Sequence, residues 1–303
     1  RKVSLGIEQD REVYFGFVSH LRKHVLIHSD SLKMKSQMKL FEGDVDLERY
    51  SLIYNQPWFL NKYRTTFSAQ LYNVEKQEVV NNVHATSLRR GSRISFGIPF
   101  WDYFMFENAF KNEKIVPGSD EIGINQYNVR SYEVLLKYDD VLSPLNPKDG
   151  LRFMAVVEKS GDIGVSTLGG VSFLRFTSSV TKYKSHIFNG ILGVRLKGGV
   201  LELIDEQNNI FENEPFVVGG GTTIRGYNEQ YVSFSGKRYV LANLEWRYDF
   251  TTNVQGVMFV DGGHAFDRKL VKEDLNYGYG AGVRFITPIG PLRFDLAQGD
   301  SSW

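Results

Sequence analysis

Oily and polar residues alternate with a period of two along almost the whole chain, and a helical period is nearly absent. In "SLKMKSQMKL", Leu32, Met34, Met38 and Leu40 share one face, and Lys33, Lys35, Gln37 and Lys39 the other. In "RSYEVLLKYD", Tyr132, Val134, Leu136 and Tyr138 oppose Ser131, Glu133 and Lys137. In "YVLANLEWRYD", Val240, Ala242, Leu244, Trp246 and Tyr248 oppose Asn243, Glu245, Arg247 and Asp249. Fifteen segments read as strands: 2–9, 12–22, 31–41, 48–55, 63–75, 85–98, 102–113, 126–139, 150–159, 170–183, 186–200, 236–250, 254–263, 277–287 and 290–298. A strand plus its turn takes roughly nineteen residues, against about 8–12 between turns in a soluble sandwich. That length suits strands of ~9–11 residues or more that cross a bilayer at a tilt.

Two architectures hold such a pattern. A soluble sandwich buries the apolar face against a second sheet, whereas a transmembrane barrel turns it to lipid and fills the lumen with the polar face. The polar face here is strongly charged, with Lys33, Lys35, Lys39, Glu133, Lys137, Glu245, Arg247, Arg284, Arg293 and Asp295. Many apolar faces end in Tyr, Trp or Phe, as interfacial girdles do. Most connections are short and a few are long, which is the usual asymmetry of barrel turns and loops. The expectation is therefore an all-β transmembrane antiparallel barrel occupying residues 1–303. A closed single-chain barrel normally has an even strand number. The pattern thus predicts sixteen strands, with Trp303 as the first residue of a last strand missing from this chain.

Composition narrows the picture further. Over 303 residues the net charge is +1, so no general attraction to nucleic acid is expected. There is no cysteine, which excludes a disulfide framework and thiolate metal sites. No run of eighteen apolar residues and no signal peptide occur, and "RKVSLGIEQD" opens directly as a strand. The chain reads as a mature fragment or the excised end of a longer protein.

One segment breaks the alternation. "FVVGGGTTIRGY" (216–227) is too glycine-rich and polar for a strand, and strand patterns bracket it. It is followed by "LANLEWRYDF", then "GVMFVDGGHAF", then "YGYGAGVRFITPIGPLRFDLA". This order resembles the Omp85 superfamily of outer-membrane proteins, most closely its BamA and TamA branches. Family barrels carry an arginine-glycine-aromatic motif on a long loop between strands eleven and twelve. "IRGY" falls between the eleventh and twelfth predicted strands. A second family motif, Phe-x-Asp-x-Gly, matches Phe259, Asp261 and Gly263 on the thirteenth strand. "NQPWFL" (55–60) and "DDVLSPLNPKDG" (139–150) resemble family turns.

The resemblance implies that the loop, about 201–235, folds into the lumen with Arg225, Gly226 and Tyr227 as its anchor. Asp261 points inward if Met258 and Val260 face lipid. The planar guanidinium of Arg225 can then grip its carboxylate bidentately, with Phe259 packing nearby. Gly219, Gly220 and Gly221 are the expected hinge, where the backbone turns and passes close to the wall. Glu245 is a candidate further partner. The glycines of 278–282 form a small inward face that leaves room for the loop. Taken alone, without the neighbouring motifs, Arg225 reads more readily as a solvated loop arginine.

No catalytic or metal site is expected. His20, His24 and His28 have helical spacing, which does not converge three ligands in or beside a strand. No Gly-x-Ser-x-Gly elbow and no phosphate-binding loop occur. The resemblance implies a factor that assembles β-barrel proteins through a lateral gate between first and last strands. The gate strand would be Val3, Ser4, Leu5, Gly6 and Ile7, which is short and offers little to pair with. The implied place is the bacterial outer membrane. The implied partners are its lipids, nascent or secreted client proteins, periplasmic lipoproteins and POTRA domains upstream, with no nucleic acid and no cofactor. The alternatives are an Omp85 transporter dedicated to one substrate, of the two-partner or patatin-fused type, and a simple channel or adhesin barrel.

Overall fold

A computed structural model of the chain describes residues 2–7, 13–22, 31–41, 44–56, 65–80, 83–117, 126–143, 146–162, 168–204, 215–227, 235–267, 275–287 and 290–299. Side chains are described for 52–55, 65–74, 87–116 and, within those later stretches, from 126 onward except 290. The strands are β1 (Lys2–Ile7), β2 (Val13–Arg22), β3 (Ser31–Phe41), β4 (Asp44–Gln56), β5 (Thr66–Val80), β6 (Val83–Trp101), β7 (Phe104–Pro117), β8 (Tyr127–Asp139) and β9 (Gly150–Ser160). They continue as β10 (Phe173–Ile187), β11 (Gly190–Leu203), β12 (Phe216–Val217), β13 (Ser235–Gly236), β14 (Arg238–Asp249), β15 (Val254–Phe266), β16 (Asn276–Thr287) and β17 (Gly290–Gly299). All except β12 and β13 form one fifteen-stranded sheet in sequence order. Every neighbour pair is antiparallel, as consecutive strands joined by turns must be.

Each of the fifteen predicted spans overlaps one wall strand. Boundaries differ where a ladder continues through polar sequence. β5 and β6 run on to the pair Val80↔Val83, beyond the last clear alternation. At 19 residues, β6 is far longer than the ~9–11 that a bilayer requires, so this hairpin outruns the apolar layer. β10 continues to Ile187 and turns at Phe188 and Asn189, whose φ angles of 50° and 60° make the tight hairpin that matches strand twist. Within the described residues no ladder joins β17 to β1, and Trp303 lies outside them.

The two faces differ as a barrel wall's should. One carries Leu196, Leu244, Met258, Val260, Tyr279, Phe294 and Leu296, all exposed. A soluble core would bury such a row, while lipid accepts it. Trp101, Tyr103, Tyr248, Phe250 and Phe285 lie exposed near the short turns, as an interfacial girdle. The opposite face buries Arg89, Glu113, Glu158, Asn243, Arg247, Asp261 and Arg284. Most of this buried charge is paired, which offsets the cost of removing it from water. Lys111 Nζ lies 2.6 Å from Glu158, Arg175 reaches the same carboxylate at 3.3 Å, and Arg93 bridges Glu107 (2.9 Å) and Glu133 (2.8 Å).

The inner face is not polar throughout. Towards the long-loop end, Ile115, Tyr127, Val129, Val171, Phe173 and Leu201 form a buried cluster, with Phe216 packed against it. Val171 and Phe216 come from connections rather than from mid-wall. The loops therefore cover an apolar upper lumen, which strand alternation alone does not reveal.

Candidate functional site

The loop between β11 and β14 leaves the wall at Ile204 and returns through β13. Its first described part is a strand after all: β12 pairs with β13 through Phe216↔Gly236 and Val217↔Ser235. The ribbon lies against β15, and a Cβ on Gly236 would stand 2.5 Å from the Phe266 backbone. Beyond it the chain reverses tightly. Gly219 and Gly220 have φ of 123° and 98°, a region costly for other residues. Gly221 has no such angle, so the hinge uses two of the three expected glycines. Gly219 N–H donates to Thr223 Oγ1 (2.8 Å), Thr223 N–H to Gly220 O (3.1 Å) and Gly220 N–H to Ile224 O (3.1 Å).

This turn aims two apolar residues at the wall. Val218 and Ile224 pack with Leu241 and Ala265, flanked by Tyr227 and Tyr239. Burying each contributes about 1.5–3 kcal/mol. Ile224, fully buried, is followed directly by Arg225, so packing and charge act on adjacent residues.

The Arg225 side chain is held by residues of three strands, β14, β15 and β17. Its Nε donates to Asp261 Oδ2 at 2.6 Å and its Nη2 to Asp261 Oδ1 at 2.9 Å, a fork on one carboxylate. The backbone N–H of Arg225 adds a third bond to Asp261, 3.1 Å long. Nη1 reaches Glu245 on β14 (2.9 Å) and Asp295 on β17 (3.3 Å). The guanidinium carbon stands 3.4 Å from the centroid of the Phe259 ring. Asp261 is fully buried, whereas Met258 and Val260 beside it are 55 % and 50 % exposed. The strand's alternation thus puts the carboxylate inward.

Close approach is built from glycine. A Cβ on Gly278 would overlap the Arg225 carbonyl oxygen, and one on Gly299 would press the Tyr227 ring at 2.7 Å. Gly226, with φ of 97°, leaves only 2.5 Å between a hypothetical Cβ and the Gln298–Gly299 backbone. Gly280 and Gly282 keep the same inner row flat. Gly263 lies on the same inward row of β15 as Asp261 and Ala265. A side chain there would meet Val240 O and Leu241, so its place is the tight β14–β15 contact.

Three partners have no family motif to mark them. Asn243 donates to Asp261 Oδ1 (2.6 Å) and to Thr223 O (2.7 Å), tying wall to loop. Arg284 shares Glu245 at 2.5 Å, and Arg195 donates to Thr222 O at 2.7 Å. Inward parity on β14, which puts 243, 245 and 247 in one row, is the signal that locates Asn243. The backbone of β1, which holds the expected gate residues Val3–Ile7, pairs with β2 from Lys2↔Val18 to Ile7↔Val13, while its side chains lie outside the described residues. So do His24, His28 and the side chain of His20. Among the described residues no group of three or more His, Cys, Asp or Glu could hold a metal ion.

Comparison with known proteins places this geometry. The Omp85 superfamily domain matches residues 41–300. Two curated relatives from Arabidopsis thaliana match in part. Outer envelope protein 80, chloroplastic, is 37% identical over 98 residues, 29% of this chain and 13% of the relative. Outer envelope protein 39, chloroplastic, is 33% identical over 94 residues, 28% of this chain and 26% of the relative. Among solved structures, BamA from Haemophilus ducreyi lacking POTRA domains 1–3 superposes with a TM-score of 0.71 at 13% identity. That match covers 96% of this chain and 64% of that one. CdiB from Acinetobacter baumannii gives 0.57 at 14% identity, covering 95% and 52%. At such identities the two structures establish the barrel fold alone, and this chain spans only part of each relative.

Proposed function

The chain belongs to the Omp85 superfamily, and from that premise we propose that it inserts or translocates β-rich proteins at an outer membrane, in the manner of the BamA and TamA branches. Family barrels sit in outer membranes, and the plant relatives are chloroplast outer envelope proteins. The observation that carries the reading is the loop held in the lumen. Arg225 is gripped from β14, β15 and β17 by Glu245, Asp261 and Asp295. A lumen obstructed in this way is a poor passive channel, so a simple porin fits least.

The proposed work is done at the seam. β1 offers only six residues for pairing. Unpaired N–H and C=O groups are costly in lipid, and an incoming strand satisfies them by adding to the exposed edge. Folding of the client supplies the free energy, so the reading calls for no nucleotide and no metal. Outer-membrane lipids and unfolded barrel clients are the proposed partners. POTRA domains and accessory lipoproteins belong to the same proposal.

A barrel dedicated to one secreted substrate is the second reading, favoured by the likeness to CdiB. Depleting the protein that carries this chain separates the two. Loss of many outer-membrane barrels at once is the expected result. Loss of a single exported product, with the other barrels intact, would overturn the assembly reading in favour of the second.

A further inference from the structure

A lumenal cavity of about 300 Å³ lies beside the loop, towards the short-turn end, bounded by Pro147, Thr222, Tyr183, Ile286 and Pro291. Five arginines line it, Arg195, Arg225, Arg247, Arg284 and Arg293, against one carboxylate, Glu245. Asp261 and Asp295 lie just behind, on Arg225 and Arg293. Even with both included, two positive charges remain uncompensated.

The excess falls on identifiable groups. Arg195 donates to Asn243 Oδ1 (2.9 Å) and to Thr222 O (2.7 Å), both neutral. Arg247, 2 % exposed, donates to the Pro147 carbonyl and stands over the Tyr183 ring, 5.2 Å from its centroid. Neither hydrogen-bonds a carboxylate among the described residues. The Nε atoms of Arg247 and Arg284 are buried without a hydrogen-bond partner. So is Gln255 Oε1, whose amide nitrogen is already committed to Asn146 and Asp249. Buried donors and charges of this kind are costly unless something pairs with them.

We propose that this cavity is a binding site for a phosphate-class oxyanion, as the free ion or as the headgroup of a phosphomonoester lipid. Two uncompensated charges match a dianion. Guanidinium forks match the spacing of phosphate oxygens, so several arginines can share one tetrahedral ion. Water takes about 30 Å³ in the liquid, so about 300 Å³ has room for a small tetrahedral ion with several waters. The site shares Arg225 with the loop anchor but does not depend on what the barrel transports.

The test titrates inorganic phosphate into the full-length protein in phosphatidylcholine nanodiscs, by calorimetry at constant ionic strength made up with chloride. A saturable heat is expected. Arg195→Gln and Arg247→Gln should each weaken it by about tenfold or more. Arg195 is less deeply buried than Arg247, so its variant serves if Arg247→Gln fails to fold, and β-sheet circular dichroism monitors both. Repeating the titration with phosphatidic acid in the bilayer distinguishes the sources. An unchanged heat assigns the site to free phosphate, and a suppressed heat assigns it to the lipid headgroup. No saturable heat, or a heat that chloride abolishes, or one unaltered in the well-folded variants, would overturn the proposal.

Discussion

Removing the Arg225 side chain should release the loop without unfolding the wall. Arg225→Ala deletes the two-pronged grip on Asp261 and the single bonds to Glu245 and Asp295. The three carboxylates do not suffer equally. Glu245 keeps Arg284 at 2.5 Å, and Asp295 keeps Arg293 at 3.1 Å. Asp261, fully buried, keeps only Asn243 and the loop N–H, so its residual charge is underpaired. Stripping one partner from a buried pair costs about 3–5 kcal/mol, and the donors left on Asp261 put this case at the lower end. About 3 kcal/mol is roughly two orders of magnitude in the docked–released equilibrium. Loss of the Phe259 contact adds to this.

The chain's lack of cysteine makes the assay direct. Ile224→Cys places one thiol at a fully buried position of the loop. Its labelling by a maleimide then reports the fraction of time the loop is undocked. In this background Arg225→Ala should speed labelling about a hundredfold. Arg225→Lys keeps a point charge but loses the planar fork, and should fall between the two. Client assembly should decline in the same order. Equal labelling rates in all three chains, with the wall intact by circular dichroism, would refute the claim that Arg225 fastens the loop.

Sterics and lipid contact give two further tests. Gly278→Ala changes no charge but puts a methyl into the Arg225 carbonyl oxygen, so it should undock the loop and raise Ile224→Cys labelling as Arg225→Ala does; an unchanged rate would mean the loop does not rest on β16. Met258→Arg, mid-strand on the lipid face, should lower barrel stability by about 2–4 kcal/mol in denaturant unfolding from vesicles. The same substitution should matter far less if that face were open to water.

The wall was legible in the sequence because one physical rule generates it. A strand with lipid on one side and a wet lumen on the other must alternate, and β14 to β17 do so over most of their length, with Leu241, Val257 and Phe259 as inward apolar exceptions. The approach of Arg225 to Asp261 was legible for a related reason: the parity of Met258 and Val260 aims Asp261 inward, and the motif order supplies the loop. Asn243 was not legible because one polar residue among several inward ones carries no mark of its partner. Its role depends on Thr223 lying opposite, which is a fact of the loop path. The apolar upper lumen was hidden likewise, since Ile115 and Phe173 interrupt a charged inner face only where Val171 and Phe216 come down to cover them. Gly221 misled because a run of three glycines reads as one hinge, while the turn needs left-handed φ at two positions. Ladder ends such as that of β5 and β6 follow pairing rather than hydropathy, so alternation stops short of them.

The strands at the two ends of the sheet are held very differently, and this asymmetry decides which of them should yield. β17 is ten residues long, is paired along its length with β16, and has Asp295 on Arg225 and its Gln298–Gly299 backbone against Gly226. β1 has six described residues and, among the described residues, pairs with β2 alone. Net stabilisation is about 0.5–1.5 kcal/mol per hydrogen bond, so shortening a ladder by half removes several kcal/mol of local protection. Opening at the first edge of the sheet should therefore begin with β1 peeling away from β2 while the loop keeps β17 in place. Hydrogen exchange of the barrel in nanodiscs tests this order. Amides of Val3–Ile7 should exchange at least a hundredfold faster than those of 256–264 on β15, consistent with a difference of about 3 kcal/mol. Arg225→Ala should accelerate exchange in β17 with little change in β1. Equal protection of β1 and β15, or faster exchange at β17 in the unaltered chain, would place the weak edge elsewhere and remove β1 as the gate strand.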